Sequence, residues 1–311
     1  MPASNTTPWA LFGLGLFVLL GSNASLMLSG WVDEFSKRPP VTGIFVLDLL
    51  TAFFPAVYET PSARIIMDVM SGFAVAASTA VVYEGSRRRG PGPNRFNQNI
   101  LAAFWWVAQF VAIGFATPVY FAMLLNKPVK DSEYVHVGKF RVFAVLLGII
   151  GTGAITPMLE DSIMKKNPDV SLMIAWLLFP VVVISLATAV DRSTSARRVF
   201  PGFLQLIPYL SAFAAGAVGH FRTVKVIADG QFSAQDILSN APCVFLIFDL
   251  IGVVVGSYVW IQADKRISAF SYWWVALLFG PGAHFALLCA VRDRKVEDRI
   301  PNVSSASVKQ E

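Results

Sequence analysis

The chain has 311 residues, of which 55% are hydrophobic and only 14% are charged. A soluble globular domain carries about 25% charged residues, so the composition excludes an ordinary soluble domain. The net charge of +5 is typical of a membrane protein that keeps basic residues in its cytoplasmic loops, and no lysine-rich tract with interleaved aromatic residues indicates nucleic-acid binding.

Nine apolar runs follow one another along the chain, separated by short segments with charged residues, prolines and glycines. Each run is close to the roughly 20 residues that a helix needs to cross a bilayer. They predict an all-α, polytopic transmembrane helix bundle of about nine (eight to nine) helices. The runs are 9–28, 41–58, 63–83, 100–124, 142–159, 172–190, 203–221, 242–262 and 270–291.

The predicted domain organisation is a single transmembrane domain, 1–291, followed by a polar, disordered cytoplasmic tail, 292–311. With nine helices, the face bearing the tail holds 15 Lys and Arg residues and the other face holds 10. The positive-inside rule then favours an outside N-terminus and a cytoplasmic tail, whereas a re-entrant second run, 41–58, would give a division of 13 against 12 and no bias. The Asn-Thr-Thr sequon at Asn5 is lumenal in this arrangement and is a predicted glycosylation site.

Ionisable side chains inside apolar runs are costly and indicate functional sites. Five positions qualify: Asp48, Asp68, Asp249, His220 and His284. The three aspartates are the candidate catalytic acids. A rise of about 1.5 Å per residue puts Asp48 and Asp249 at a similar depth, about 10 Å below the predicted cytoplasmic surface. We expect both, with the two histidines, to line one polar cavity, although each aspartate alone is equally explained as a packing residue.

Other acidic residues lie near the ends of runs. Glu59 follows Asp48 by about three helical turns, so it shares a helix face with Asp48 at the lumenal end and is a candidate substrate-binding residue. A further group of acidic residues lies beside basic residues at run ends and is interpreted as marking membrane boundaries. This group comprises Glu84, Glu160, Asp161 and Asp191.

The fourth run is rich in aromatic residues. It contains Trp105, Trp106 and Gln109, followed by Pro118 and Tyr120. Proline removes a backbone hydrogen bond and predicts a kink, which turns the aromatic and amide side chains towards a cavity. Because aromatic faces attract positive charge, Trp105, Trp106, Gln109 and Tyr120 are candidate substrate-binding residues. A kinked packing helix with an aromatic belt explains the same spacing equally well.

Several chemistries lack their motifs. The sequence has no Walker loop, no HExxH, no GxSxG and no DDxxD-like cluster, and its two cysteines, Cys243 and Cys289, show no zinc spacing. We therefore predict no metal and no cofactor. A carboxyl group buried among aromatic residues is instead suited to protonate an epoxide or an olefin, because burial favours its neutral form and the rings stabilise the resulting carbocation.

The chain resembles the fungal membrane-bound terpene cyclases of the ascofuranone and ascochlorin type. The resemblance rests on the size, the helix number, the isolated acids and the kinked fourth run that ends at Tyr120. It implies proton-initiated cyclisation of a lipophilic (epoxy)farnesyl meroterpenoid in secondary metabolism. It also implies an endoplasmic reticulum location and association with other biosynthetic membrane enzymes. Asp48 and Asp249 are then the acids, and Trp105 and Trp106 line the chamber with Tyr120.

The alternative is a non-enzymatic membrane protein, either a transporter or a receptor-like protein. Asp48, Asp68 and Asp249 suit a proton or cation relay as well as they suit acid catalysis. The sequence shows no internal repeat of the kind found in common transporter folds. An aromatic-lined pocket around the aspartates favours the cyclase, and a polar path between the two membrane faces favours the transporter.

Overall fold

The structure of the protein is a computed structural model. The structure describes residues 6–87, 108, 112–126, 137–165, 169–193 and 204–299. In this part of the chain the structure is an all-helical bundle, and six helices are long and apolar enough to cross a membrane. This confirms a multi-pass helical architecture. The predicted number of nine is not confirmed, since the other apolar helical stretches in the described residues, Leu47–Val57, Ile113–Asn126 and Val170–Val183, have fewer than 18 residues.

The helices are numbered here in chain order. They are α1 (Thr6–Leu28), α2 (Trp31–Ser36), α3 (Phe45–Val57), α4 (Pro61–Arg87), α5 (Ile113–Asn126), α6 (Lys139–Met164), α7 (Val170–Ser193), α8 (Ile207–Ala228), α9 (Ala234–Leu238), α10 (Ala241–Asp264) and α11 (Trp273–Glu297). A 3-10 turn, Leu204–Leu206, precedes α8.

Helix starts follow the local sequence. Helix α4 begins at Pro61, and Pro208 and Pro242 lie in the first turns of α8 and α10, where a missing backbone N–H is not needed. The Asn240 side chain caps α10 by accepting a hydrogen bond from the Cys243 N–H at 3.2 Å. The prolines and the Asn240 cap therefore define the residues at which these helices begin.

The second predicted span is too short to cross. Helix α3 has 13 residues, which is about 20 Å of helix, whereas the hydrocarbon core measures about 30 Å. The prediction of a crossing over 41–58 is therefore wrong for the described helix. The cause is that the first residues of this run form an irregular segment before α3 instead of a helical turn.

Charged residues define two opposite ends of the bundle. We call the end that holds Arg87, Asp264 and Glu297, the last residues of α4, α10 and α11, the Arg87 face. The opposite end, where Arg222 lies beside Asp68, is the Arg222 face. Helices α4 and α10 both run from the Arg222 face to the Arg87 face, and α8 runs back between the same two ends.

Helix α1 begins at the Arg87 face. Gly15 of α1 packs against Val119 of α5, and Gly21 packs against Phe248, close to the start of α10. Since α10 rises towards the Arg87 face, α1 runs antiparallel to it and starts at the end of the bundle where α11 finishes. The prediction of an outside N-terminus with a cytoplasmic tail is wrong, because Thr6 and Glu297 lie on one face. The predicted glycosylation site, Asn5, lies outside the described residues.

Helices α4 and α5 run in the same direction. The N–H of Gly114, at the start of α5, donates to the Asp249 carboxylate. The Tyr120 hydroxyl, two turns later, donates to Val81 O at 3.1 Å near the end of α4. Strict alternation of successive spans predicts antiparallel helices here. The described part of the fourth run instead returns to the Arg87 face, to which α4 has already run.

The last helix is interrupted inside the bundle. Gly280 has φ 89° and ψ 163°, a backbone conformation that residues with a side chain rarely adopt. Ser271 O lies 2.7 Å from His284 Nε2, although 13 residues in one straight helix span about 20 Å. The chain therefore folds back at Gly280, and only the part after Gly280 runs to the Arg87 face.

The polar tail begins later than predicted. Helix α11 continues to Glu297, and Arg292, Asp293 and Val296 are buried. The prediction that residues from 292 onwards form a disordered tail is therefore wrong up to the end of α11. Charge alone was misleading, because these side chains are paired within the bundle and do not extend into water.

The centre of the bundle is closed by glycine contacts. Gly72 of α4, Gly216 of α8 and Gly282 of α11 meet at one point, and a methyl group placed on Gly72 would lie 2.7 Å from Gly216 Cα. Small residues let helix backbones touch within a membrane. The three helices therefore have no room for a solvent path where these glycines meet.

Candidate functional site

Asp48 serves its own helix. Its Oδ1 accepts hydrogen bonds from the Val41 N–H at 3.1 Å, the Thr42 N–H at 2.6 Å and the Thr42 hydroxyl at 2.8 Å. The carboxylate thereby organises the segment that leads into α3, a role comparable to helix capping. We conclude that Asp48 is a local structural residue, and its predicted place in a shared acidic cavity is wrong.

Asp249 lies in the interface between α5 and α10. It is buried, and its Oδ1 accepts a hydrogen bond from the Gly114 N–H at the start of α5. Within the described residues, no Lys or Arg side chain forms an ion pair with it. The first N–H groups of a helix have no hydrogen-bond partner within that helix. The Asp249 carboxylate provides such a partner for the Gly114 N–H of α5.

Asp68 belongs to the Arg222 face. Arg222 Nη1 lies 3.3 Å from Asp68 Oδ1 and 3.9 Å from Glu160 Oε2, and Arg64 Nη1 lies 3.8 Å from Glu160 Oε1. Glu160 thus does more than mark a membrane boundary, because it joins α4, α6 and α8. All four side chains are partly exposed, so each pair stabilises the fold by no more than about 1 kcal/mol.

The two histidines hold the interrupted helix. His220 Nε2 lies 3.2 Å from Leu277 O, and His284 Nε2 lies 2.7 Å from Ser271 O. Because the Ser271 carbonyl can only accept, Nε2–H is the donor in this contact, and the Tyr258 hydroxyl lies 2.8 Å from His284 Nδ1. Polar backbone groups freed in a membrane need such partners. The structure therefore explains both histidines by the chain break and not by a cavity with the aspartates.

The remaining predicted substrate-binding residues are dispersed. Tyr120 is buried and bonded to the α4 backbone, whereas Glu59 is exposed after the end of α3. Trp105, Trp106 and Gln109 lie outside the described residues. Among the described residues, Asp48 and Asp249 have backbone partners in separate parts of the bundle, and the two histidines contact carbonyl groups beside the interruption of α11.

The largest polar cluster was not predicted. At the Arg87 face, the Arg87 guanidinium lies 2.7 Å from Asp293 Oδ2 and 2.8 Å from Glu297 Oε1. The Tyr209 hydroxyl donates to the same Asp293 oxygen at 2.5 Å. Arg87, Asp293 and Tyr209 are buried. The cluster thus joins the ends of α4 and α11 to the start of α8.

A second arginine extends this cluster. Arg292 Nη1 lies 2.8 Å from Glu84 Oε2 and 2.9 Å from Asp293 Oδ1, and Arg292 Nε lies 2.8 Å from Asp264 Oδ2. Its guanidinium also stacks over the Trp260 ring, 4.7 Å from the ring centre. Together with Arg87, Glu297 and Tyr209, these residues form what we call the arginine network. Glu84 is thus a buried member of this network and not only a boundary marker.

The sequence held a signal for the arginine network. Glu84 and Arg87 are three residues apart and Asp293 and Glu297 are four apart, so each pair lies on one helix face. What remained hidden was that the two faces oppose each other, since Arg87 and Glu297 are 210 positions apart. Pairing of distant helices is decided by the tertiary structure.

The charged groups of the bundle do not form a continuous path. The arginine network lies at one face and the group around Arg222 at the other, and the contact of Gly72, Gly216 and Gly282 lies between them. In the described part of the chain, no charged side chain bridges this contact. The described conformation is therefore closed to ions between α4, α8 and α11.

The fold and these charged groups define a multi-pass, all-helical membrane protein with polar groups buried in its interior. Comparison with protein-family models, with curated proteins and with solved structures finds no match.

Proposed function

We propose that the protein is an integral membrane terpene cyclase that starts cyclisation of a lipophilic (epoxy)farnesyl compound with a proton from Asp249. The observation that carries this proposal is the placement of Asp249: a carboxyl group buried within the bundle with no cationic partner among the described residues. We expect the protein to act in the endoplasmic reticulum membrane, where such lipophilic intermediates partition.

The choice of Asp249 follows from comparing the buried acids. Asp293 contacts Arg87 and Arg292, and Glu84 contacts Arg292, so both of these acids already belong to ion pairs. Asp48 accepts three local hydrogen bonds, which also favours its anionic form. Asp249 accepts hydrogen bonds from the backbone N–H groups of Gly114 and Ile113 and contacts no arginine among the described residues. It is thus the acid best suited to release a proton to a substrate.

The proposed step is a simple proton transfer. The carboxyl O–H bond breaks, the proton passes to the epoxide oxygen, and the epoxide C–O bond opens to leave a carbocation. An olefin of the same substrate attacks this cation and forms the ring, and loss of a proton ends the sequence and restores the acid. Exclusion of water from the site prevents capture of the cation.

Aromatic residues lie on the same side of α10 as Asp249. Trp260 follows Asp249 by three helical turns, so both point towards α5. The Trp260 ring stacks on Phe121 with ring centroids 4.4 Å apart, and Phe285 lies edge-on at 6.5 Å. Such rings stabilise positive charge through their faces. The interface of α5 and α10 therefore holds a buried acid and, about 16 Å further along α10, a cluster of aromatic rings.

The transporter alternative has less support. It requires a polar path that joins the two membrane faces, and in the described residues the glycine contact separates the two charged groups. The aspartates proposed for a proton relay also have separate partners, namely the α3 segment for Asp48, Gly114 for Asp249 and Arg222 for Asp68.

Substitution of Asp249 by asparagine is expected to abolish cyclisation. Asparagine keeps the oxygen that accepts the Gly114 N–H but has no transferable acidic proton, so product formation should fall at least about 100-fold. The measurement is conversion of an epoxyfarnesyl phenol by microsomes that contain the wild-type protein or Asp249→Asn, at equal amounts of inserted protein.

The matched control is Asp48→Asn. It makes the same chemical change at an acid that only accepts local hydrogen bonds, and we expect conversion within about two-fold of the wild type. Equal loss in both variants, or an active Asp249→Asn, would exclude Asp249 as the acid. Absence of conversion by the wild type across epoxides and polyenes would contradict the cyclase proposal and favour transport.

A further inference from the structure

We infer that the Arg87 face is the cytoplasmic face of the protein, so that the start of α1 and the end of α11 both face the cytosol. This inference uses helix direction and charge, and it does not depend on the proposed enzymatic activity. It replaces the orientation expected from nine alternating spans, in which the two ends of the chain lie on opposite sides of the membrane.

Helix direction places both ends together. Helix α1 starts at the Arg87 face, because Gly21 lies beside Phe248 near the start of α10 and Gly15 lies beside Val119 further along α5. Helix α11 ends at the same face, where Glu297 contacts Arg87. An even number of complete crossings separates these two points, whatever the path of the connections between them.

The interrupted helix α11 agrees with an even number of membrane crossings. Helix α10 ends at Asp264, which contacts Arg292 at the Arg87 face. Ser271 lies at the same depth in the bundle as His284. The chain then reverses direction at Gly280 and runs back to the Arg87 face. The segment between α10 and the end of α11 therefore enters the bundle and leaves it on the same side, without a complete crossing.

Basic residues are unevenly divided between the two faces. Among the described residues, ten Lys and Arg lie at the helix ends of the Arg87 face and six at those of the Arg222 face. The positive-inside rule assigns the face with the excess to the cytosol.

The orientation has two consequences. The arginine network lies at the cytosolic leaflet, whose anionic headgroups attract the basic residues around it. Asp249 lies eight residues into α10 from the Arg222 face, about 12 Å deep, and therefore in the lumenal half of the membrane. The expectation that Asp249 opens to the cytoplasmic half is corrected by this assignment.

Thiol labelling in sealed microsomes tests the orientation. Single variants Arg294→Cys, at the Arg87 face, and Glu34→Cys and Gln231→Cys, at the Arg222 face, replace exposed side chains. The two native cysteines are buried. Because the outside of such microsomes is cytosolic, an impermeant maleimide is expected to label Arg294→Cys directly. It should label the other two variants only after detergent permeabilisation.

The opposite pattern, or direct labelling at both faces, would overturn the inference. A second measurement uses glycosylation: Glu34→Asn completes an Asn-X-Ser sequon with Phe35 and Ser36. We expect this variant to gain a glycan that a glycosidase removes, whereas Asn5 stays unmodified in the wild type. A glycan at Asn5 would exclude a cytosolic N-terminus. Neither readout requires catalytic activity, so failure of the cyclase proposal would leave both results interpretable.

Discussion

Replacing Arg292 by methionine is expected to lower the free energy of unfolding by about 3–5 kcal/mol, the range measured when one partner of a buried ion pair is removed. The substitution keeps much of the side-chain volume but removes the cation that contacts Glu84 Oε2 and one of the two arginines that contact Asp264, the other being Arg266. It also removes the guanidinium that stacks on Trp260. The measurement is the unfolding of the purified protein in mixed micelles, followed by tryptophan fluorescence as the denaturing detergent is increased.

The control is the same substitution two residues later. Arg294 contacts Asp298 at 3.2 Å, but both side chains are more than half exposed, so Arg294→Met should change the stability by less than about 1 kcal/mol. Arg292→Lys should fall between the two, because lysine retains the charge without the planar fork that reaches several carboxylates. Equal stability of Arg292→Met and Arg294→Met would show that the arginine network does not hold the helices together.

Substitution of Gly216 by alanine is expected to destabilise the bundle by about 1–3 kcal/mol, the usual range for an overpacked core. A Cβ at this position would lie 2.5 Å from Ala283 N and 2.8 Å from Gly282 C. Both are backbone atoms, so the contact is relieved only if α8 and α11 separate. The same detergent titration measures the effect.

Gly153 provides the opposite expectation. It lies in α6, and a Cβ built there would meet nothing within 4 Å. Alanine is favoured over glycine in a helix by roughly 0.5–1 kcal/mol, so Gly153→Ala should leave stability unchanged or raise it. A loss of stability at Gly153 equal to that at Gly216 would mean that helix packing at Gly216 is not the cause.

Asp48 and Asp249 were both identified from the sequence as unusual acids, but their hydrogen-bond partners were not. Asp48 and Asp249 have similar apolar neighbours along the chain, and both were placed at one depth in one cavity. In the structure, Asp48 contacts residues six and seven positions before it, and Asp249 contacts Gly114, 135 positions away. A local cap and a long-range contact have the same appearance in an apolar run, because the sequence does not show which helix faces the carboxyl group.

The two histidines were likewise identified from the sequence, but the interruption of α11 that they contact was not. His220 and His284 were recognised as unusual because ionisable groups are costly in a membrane. Their partners are the carbonyl groups of Leu277 and Ser271 beside the interruption at Gly280. The dipeptide Gly280-Pro281 was visible in the sequence, but it is equally compatible with a kink. Only the contact of Ser271 with His284 distinguishes a reversal of the chain from a bend.

The sequence by itself determined that this protein is a multi-pass helical membrane protein, because the length of an apolar run and the need for internal backbone hydrogen bonds are local properties. The sequence also identified the buried acids and histidines, because ionisable side chains are energetically costly inside a membrane. The tertiary structure alone decided the direction of α1, α5 and α11, the assembly of the arginine network and the partner of each acid. Those features depend on contacts between residues far apart in the chain, and hydropathy carries no information on which helices meet.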